Sequence, residues 1–501
     1  MFNAWNYLIL IVYMLVLVAV GLRFSGRQKS TEDYFLGGRN LPWLAVGMSM
    51  FASITSASSF IGIPGIAYRE NVALIFLGFT SPVVVPFLVY IFYPFYRNLG
   101  VTTTYEYIDR RYGRPARYAV SGLFCLARLG WLGVVIYSPS LALSVVTGMN
   151  LSLCLLLIGT IATAYAMLGG ISAVIWTDVL QFIMLVGGAT WVGVSLVQEV
   201  PGGYSGIMEI ASTTSRLHIW EGGLDPFQMT GIAVVISYFF QLMQDYGTDQ
   251  VAVQRLLTIK DLKGMAKAAF FNSLSDLFIV ALLLFVGTGL FAYFHTFPER
   301  LASDVSGDQI LPYYIIHALP TGVSGLLLAA IFAAAMSSVD SGVNSLATVV
   351  VNDFVRPLRR RAATDQQDLK LARILTAAIG AVALITAFYA ITIGQVLKAS
   401  QAFLGMFAAP ILALFMLGML TRRTHFRGWL VGLVLAVAAS AWVQNFTAVH
   451  FIYYFPFCFA ICAGVGYLAS VVMSGPRPDP ELVLWGRGRM GPASRDSSLD
   501  S

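Results

Sequence analysis

Charge is scarce in this chain: Lys, Arg, Asp and Glu make up 11% of its 501 residues, against about a quarter in an ordinary soluble domain. With 57% apolar residues and a mean hydropathy of +0.75, a water-soluble globule is excluded and a polytopic membrane protein remains. Cysteine is equally sparse. The four thiols, Cys125, Cys154, Cys458 and Cys462, all lie in apolar runs, so no disulfide framework is implied. Cys458 and Cys462 have helical spacing but no His or acid nearby, which makes them core packing rather than a metal pair. The five histidines, His218, His295, His317, His425 and His450, sit mainly near the ends of apolar runs. Neither a metal cluster nor a nucleophile with its base is present, which argues against an enzyme. Nothing resembles a glycine-rich phosphate loop, so no nucleotide hydrolysis is expected.

What is abundant is long apolar sequence. Runs fall at about 6–22, 41–67, 73–97, 117–147, 150–169, 173–199, 227–250, 264–294, 319–352, 371–395, 397–420, 427–445 and 449–473, which predicts thirteen transmembrane helices in an all-α membrane protein. The first run lacks a basic leader and a small-residue cleavage site, so it reads as a retained helix. Arginine and lysine gather in alternate connections: Arg23 to Arg39, Arg97 to Arg117, Arg255 to Lys267, Arg356 to Arg373, Arg422 to Arg427, and the tail. That asymmetry predicts the N-terminus outside and the C-terminus inside, and it explains the net charge of +6 without nucleic acid. Inner basic loops of this kind attract anionic headgroups of the lipid bilayer. The connections 200–226 and 296–318 then lie outside and carry acids including Glu209, Asp225 and Asp308; short lids and solvated linkers are both open readings. Residues 1–473 form one transmembrane domain, and the Pro/Arg/Ser-rich cytoplasmic tail 474–501 has too few apolar residues to pack.

Two polar clusters interrupt the apolar runs. The second run reads Met48-Ser49-Met50-Phe51-Ala52-Ser53-Ile54-Thr55-Ser56-Ala57-Ser58-Ser59-Phe60, followed by Gly62, Pro64 and Gly65, a composition expected where a helix unwinds and exposes carbonyls to a protein cavity. A small-residue helix contact is the alternative. In the ninth run Ala334, Ser337, Ser338 and Ser341 stand at i, i+3, i+4 and i+7 and share one helix face. Hydroxyls at membrane depth are costly unless they serve a ligand or a bundle interface. Two hydroxyls and one carbonyl here, joined by carbonyls from the unwound second run, would make a cage of hard oxygens suited to a dehydrated sodium ion. Back-bonding of the serines to their own helix is the other reading.

The stretches Ala173-Val174-Ile175-Trp176-Thr177-Asp178-Val179-Leu180-Gln181 after Gly169-Gly170, Thr248-Asp249-Gln250-Val251-Ala252-Val253-Gln254-Arg255, and Ile331 to Ser345 together resemble the sodium:solute symporter family over about residues 30–425. That resemblance implies the LeuT-like symporter fold, with inverted five-helix repeats behind one extra N-terminal helix and two C-terminal ones. It also implies a main Na+ site formed by the carbonyls of Ala52, Thr55 and Ala334 and the hydroxyls of Ser337 and Ser338. A second cation site of some members maps to Asp178, Ser337, Asp340 and Ser341, where Asp340 departs from the hydroxyl or small residue of the members compared. Two nearby carboxylates in the membrane need a sodium ion or a proton between them, unless Asp340 is held by neighbouring serines or Asn344.

Arg128 lies about eleven residues into the fourth run, where an arginine is expensive. It either clamps a substrate carboxylate or pairs with an acid such as Asp178 or Asp245. With Ser56, Ser59, Tyr137, Gln241 and Gln244, and with Phe60 and Trp131 as walls, it defines the expected substrate pocket. Asp249, near the inner end of its helix, fits a gate partner better than a substrate ligand. The resemblance implies sodium-coupled uptake of a small polar solute by alternating access at the plasma membrane, the inner one where there are two. Tyr137 to Leu143 and Ser345 to Asp353 look most like the monocarboxylate, iodide and multivitamin branch, so a small organic anion such as a monocarboxylate leads. A sugar, sialic acid or amino acid remains open, as does a membrane sensor without transport, although the tail is short for an output domain.

Overall fold

The computed structural model describes residues 4–25, 37–99, 103–166, 171–217, 223–303, 305, 307–320, 322–358, 365–473, 475 and 479–484. Among these the chain is all helix and turn. The first segment is α1 (Ala4–Ser25), and the second run divides into α2 (Trp43–Ile54) and α3 (Ala57–Arg69). Then come α4 (Ile75–Phe87, carried on through a π turn at Leu88–Phe92), the short α5 (Tyr105–Tyr112), α6 (Arg114–Thr147), α7 (Leu151–Ala166) and α8 (Ile171–Glu199). After α9 (Gly203–Thr213), the seventh run forms α10 (Gly231–Gly247), a short α11 (Gln250–Leu256) follows its end, and then come α12 (Leu262–Thr296), α13 (Ile310–His317) and α14 (Val323–Val349). The rest comprises α15 (Asp365–Ile391), the bent pair α16 (Val396–Phe407) and α17 (Ala409–Leu420), α18 (Phe426–Phe446) and α19 (Tyr454–Val472).

Every predicted run therefore holds a helix or a helix pair. Among the described residues eight helices are long and apolar enough to cross a membrane, or ten when the bent pairs α2/α3 and α16/α17 each count as one span. Of the three remaining runs, α1 is a helix of twenty-two residues, α7 is described over sixteen, and α10 ends after seventeen with Gln241, Gln244 and Asp245 in its last turns. Gly169-Gly170 and most of the tail lie outside the described residues. A single turn at Pro480–Leu482 is described, with Val483 buried and the Leu482 carbonyl accepting the Tyr107 hydroxyl at 3.1 Å.

Local chemistry fixes the helix starts that matter for the centre. Thr230 Oγ1 accepts the Ala233 N–H to cap α10, Asp249 Oδ1 accepts the Val251 N–H at 2.8 Å to cap α11, and Asp261 Oδ1 accepts the Gly264 N–H to cap α12. The most enclosed long span is α14, with 89% of its apolar window buried, and it packs against α8, α6, α2 and α1. A helix so enclosed meets protein rather than lipid all round, which is why polar residues in it can be tolerated. Close crossings use glycine: a Cβ on Gly287 of α12 would stand 2.5 Å from the Pro64 carbonyl, so α3 and α12 touch backbone to backbone there.

Candidate functional site: an ion seat beside a polar cavity

The decisive break in the second run lies at Thr55-Ser56, earlier than Gly62, Pro64 and Gly65 suggested. α2 and α3 meet there at 59°. The last backbone bond of α2 runs from the Thr55 N–H to the Phe51 carbonyl, and Ser56 is extended (φ −89°, ψ 174°). Pro64 is accommodated inside α3. Gly62 and Gly65 instead make room for neighbours, since Cβ atoms there would come 2.7 Å from Leu397 and 2.6 Å from Asp308. The break leaves the carbonyls of Ala52 to Thr55 beyond the last intrahelical acceptor and free to meet α14.

The expected sodium residues meet at that point. Ser337 Oγ lies 2.6 Å from the Ala52 carbonyl and 3.1 Å from the Ala334 carbonyl, and Ser338 Oγ lies 3.2 Å from the Ser53 carbonyl. Ala52, Ala334, Ser337 and Ser338 are buried, and Thr55, at the bend, lines the neighbouring cavity. The donors are neutral, hard oxygens from two helices, a set that fits sodium in its chemistry. No cluster of three His, Cys, Asp or Glu able to hold a metal occurs among the described residues, so a softer ion has no comparable seat there.

At the second expected cation position the structure supplies its own cation. Arg255, read from sequence as a loop charge, is fully buried. Its Nη2 lies 3.1 Å from Asp178 Oδ2 and also meets Ser341 Oγ, while Nε donates to Ser49 Oγ at 2.8 Å and Nη1 to the Val251 carbonyl at 2.9 Å. Asp178 Oδ2 also takes the hydroxyls of Ser49 and of Ser53, the latter at 3.2 Å. Ser341 turns to Ser53 and the Ser337 carbonyl. A guanidinium thus stands where a bound cation between Asp178 and Ser341 was expected. Neither oxygen of Asp340 has a hydrogen-bond partner, so it is not held by serines or Asn344.

Next to the bend opens a cavity, with about 850 Å³ free of atoms when the solvent at its open mouth is included. Of the residues expected to contact substrate, Ser56, Ser59, Arg128, Trp131 and Gln241 line it. Three do not. Phe60 is packed into the core, the Tyr137 hydroxyl turns to the Gly394 carbonyl at 3.5 Å, and Gln244 donates to Asp249 Oδ2 at 3.3 Å behind the wall. Arg128 pairs with Asp249, not with Asp178 or Asp245: its Nη2 and Nε both reach Asp249 Oδ2, at 2.7 and 3.1 Å, and its guanidinium lies 4.5 Å from the Trp131 ring centre. Asp249 thereby caps α11 and anchors Arg128 with one carboxylate.

Other lining residues went unread in the sequence, among them Tyr238, Tyr246, Asp276, Ser400 and Gln401. Asp276 takes the hydroxyls of Ser81, at 2.9 Å, and Tyr246, and the Asn272 amide at 3.3 Å, joining α4, α10 and α12 at the cavity floor. A carboxylate deep in an apolar run was itself the missed signal. Gln401 Nε2 donates to Gln241 Oε1 at 2.7 Å. Their meeting depends on the packing of α16 against α10, which no local pattern encodes.

The chain is similar to known proteins over most of its length. The sequence model of the sodium:solute symporter family matches residues 34–436. The sodium/sialic acid symporter NanT of Aliivibrio fischeri is 32% identical over 472 residues, covering 94% of this chain and 93% of the relative. Sodium-coupled monocarboxylate transporter 2 of Mus musculus is 32% identical over 449 residues, covering 88% and 72%. A solved Na+-coupled sialic acid symporter in a substrate-bound outward-open state superposes with a TM-score of 0.88 at 28% identity, covering 95% of this chain and 99% of that one. The nucleobase-cation-symport-1 transporter Mhp1 shares the fold at a TM-score of 0.54 and 15% identity. A bent second span whose freed carbonyls meet serines of the ninth, together with these matches, makes this multi-pass membrane chain a member of the sodium:solute symporter family.

Proposed function

We propose that the protein imports a small carboxylate-bearing solute by alternating access, with the N-terminus outside, driven by sodium seated at Ala52, Thr55, Ala334, Ser337 and Ser338. The observation that carries this reading is the bend at Thr55-Ser56, because the same two residues end the ion seat and begin the cavity wall. Sodium in the seat would replace the contacts that Ser337 and Ser338 now make with the carbonyls of α2. That would fix the bend in one geometry and shape the wall that receives the solute. The coupling is reciprocal: whatever factor sodium adds to solute affinity, the solute adds to sodium affinity.

The carboxylate preference rests on Arg128. Its two bonds to Asp249 leave three of its five N–H donors unspent, and it lines the cavity beside Trp131. The named relatives that handle sialic acid and monocarboxylates support a carboxylate as well.

The test needs no known solute. Purified protein is titrated with NaCl against equimolar choline chloride while thermal unfolding is followed. Saturable, sodium-specific stabilisation is expected, weakened at least tenfold in apparent affinity by Ser337→Ala and by Ser338→Ala. A wild-type response identical in the two salts would count against the sodium seat, and sodium-independent binding without uptake in proteoliposomes would favour a sensor.

A further inference from the structure

The charges around the cavity do not match a simple anion. One guanidinium, Arg128, faces three carboxylates: Asp249 behind it, and Asp245 and Asp276 in the cavity lining. Asp249 is spent on Arg128 and on the α11 cap. Asp276 holds three neutral donors, from Ser81, Tyr246 and Asn272, on its Oδ2. Asp245 is different. It is 7% exposed, it lines the cavity, and it has no ion-pair partner among the described residues; its nearest polar company on α10 is Gln241, one turn earlier. Gln401 takes only the Gln241 Oε1, and the Gln241 side chain hydrogen-bonds Asp245, which leaves that carboxylate with a neutral partner and no counter-charge. A carboxylate left open toward a cavity in the middle of a membrane protein is costly unless something that enters the cavity satisfies it.

From this we infer that the transported solute is a zwitterion, with its carboxylate at Arg128 and a cationic nitrogen at Asp245. The inference rests on the proposed symport and narrows its solute. A plain monocarboxylate would bring another negative charge into a space where carboxylates already outnumber the guanidinium, and it would leave Asp245 without a counter-charge. A neutral sugar would leave the free donors of Arg128 unused. A zwitterion answers both groups at once and adds no net charge. Asp245 acts here as a specificity-determining residue for the nitrogen end of the solute. Tyr238 and Ser400, hydroxyls on the same cavity wall, complete a polar surround for a small ammonium or secondary amine.

The experiment uses full-length protein in proteoliposomes with an inward sodium gradient. The labelled probes are the twenty standard amino acids and glycine betaine, the anions lactate and N-acetylneuraminate, the neutral sugar galactose, and the cation choline. Sodium-dependent uptake of at least one zwitterion is expected, with its desamino analogue competing at least tenfold more weakly, about the factor set by losing one charged contact. Asp245→Asn should lower the apparent affinity for that zwitterion about tenfold or more and narrow the gap to the desamino analogue. The same variant should keep the sodium-specific thermal shift, which certifies its fold. Sodium-dependent uptake of lactate or N-acetylneuraminate in preference to every zwitterion, unaltered by Asp245→Asn, would overturn this inference and leave the symport standing. Absence of sodium-dependent uptake for all probes would overturn both.

Discussion

At the scale of single residues, the heart of the molecule is a guanidinium in place of an ion. Arg255 has no exposed surface and joins Asp178, Ser49, Ser341 and its own helix backbone. Burying such a pair gains little net stability, but removing one partner strands the other, at a cost of about 3–5 kcal/mol. Arg255→Met is therefore expected to lower the unfolding temperature sharply or abolish expression, whereas Arg255→Met combined with Asp178→Leu should recover a large part of the loss. Fluorescence-detected thermal unfolding of the single and double variants reads this directly, and equal loss in both would show that Arg255 acts chiefly through Ser49 and Ser341. The serines of α14 and the hydroxyl cluster of α2 were legible in sequence because polar residues in an apolar run stand out against their surroundings. The partner of Arg128 was not, because Asp178, Asp245 and Asp249 are equally polar: Asp178, on α8, is engaged by Arg255, and the turn between α10 and α11 decides that Asp249 rather than Asp245 meets α6.

Elements carry the next lesson. Hydropathy foresaw a helix in each apolar run, though not how many of them span, since it integrates over about twenty residues and tolerates errors in any one. It misplaced the bend because Gly62, Pro64 and Gly65 satisfy the sequence signs of a break while serving close packing against Leu397 and Asp308. The connection 296–318 likewise left linker and lid open; it folds as α13 and a turn at Gly307–Gln309, where Asp308 Oδ2 accepts the Val396 N–H at 2.9 Å and Oδ1 lies 3.4 Å from Arg69. One strut thus links α3 to the start of α16. The backbone contact of α3 with α12 at Gly287 is as tight. Gly287→Val is expected to push these helices apart, costing about 1–3 kcal/mol as overpacking does. Because α3 forms a cavity wall, apparent solute affinity should fall along with thermal stability, while Gly187→Val, where a Cβ meets nothing within 4 Å, should change neither.

For the molecule as a whole, stability should depend on pH through a group far from the ion seat. Burial, with Lys398 adding to it, pushes the His450 imidazole down to about 4. The neutral ring is the useful form, because its Nδ1 accepts the Ile452 N–H at 3.3 Å while the backbone N–H of His450 holds the Pro226 carbonyl at 2.8 Å. A histidine whose folded pKa is depressed contributes stability fully present above its unfolded value of 6.5 and lost as pH falls from there toward about 4. Wild-type unfolding temperature should therefore drop between pH 6.5 and 5, and His450→Asn, which keeps an acceptor but cannot protonate, should flatten that drop. The bend at Thr55-Ser56 has a last consequence for the assembled carrier. With sodium seated as proposed, ion and cargo share one knuckle of backbone, and no train of intervening parts can wear loose between them. Slip, meaning sodium running inward without cargo, would then have to begin at those two residues, so an idle current is the most sensitive gauge of damage there.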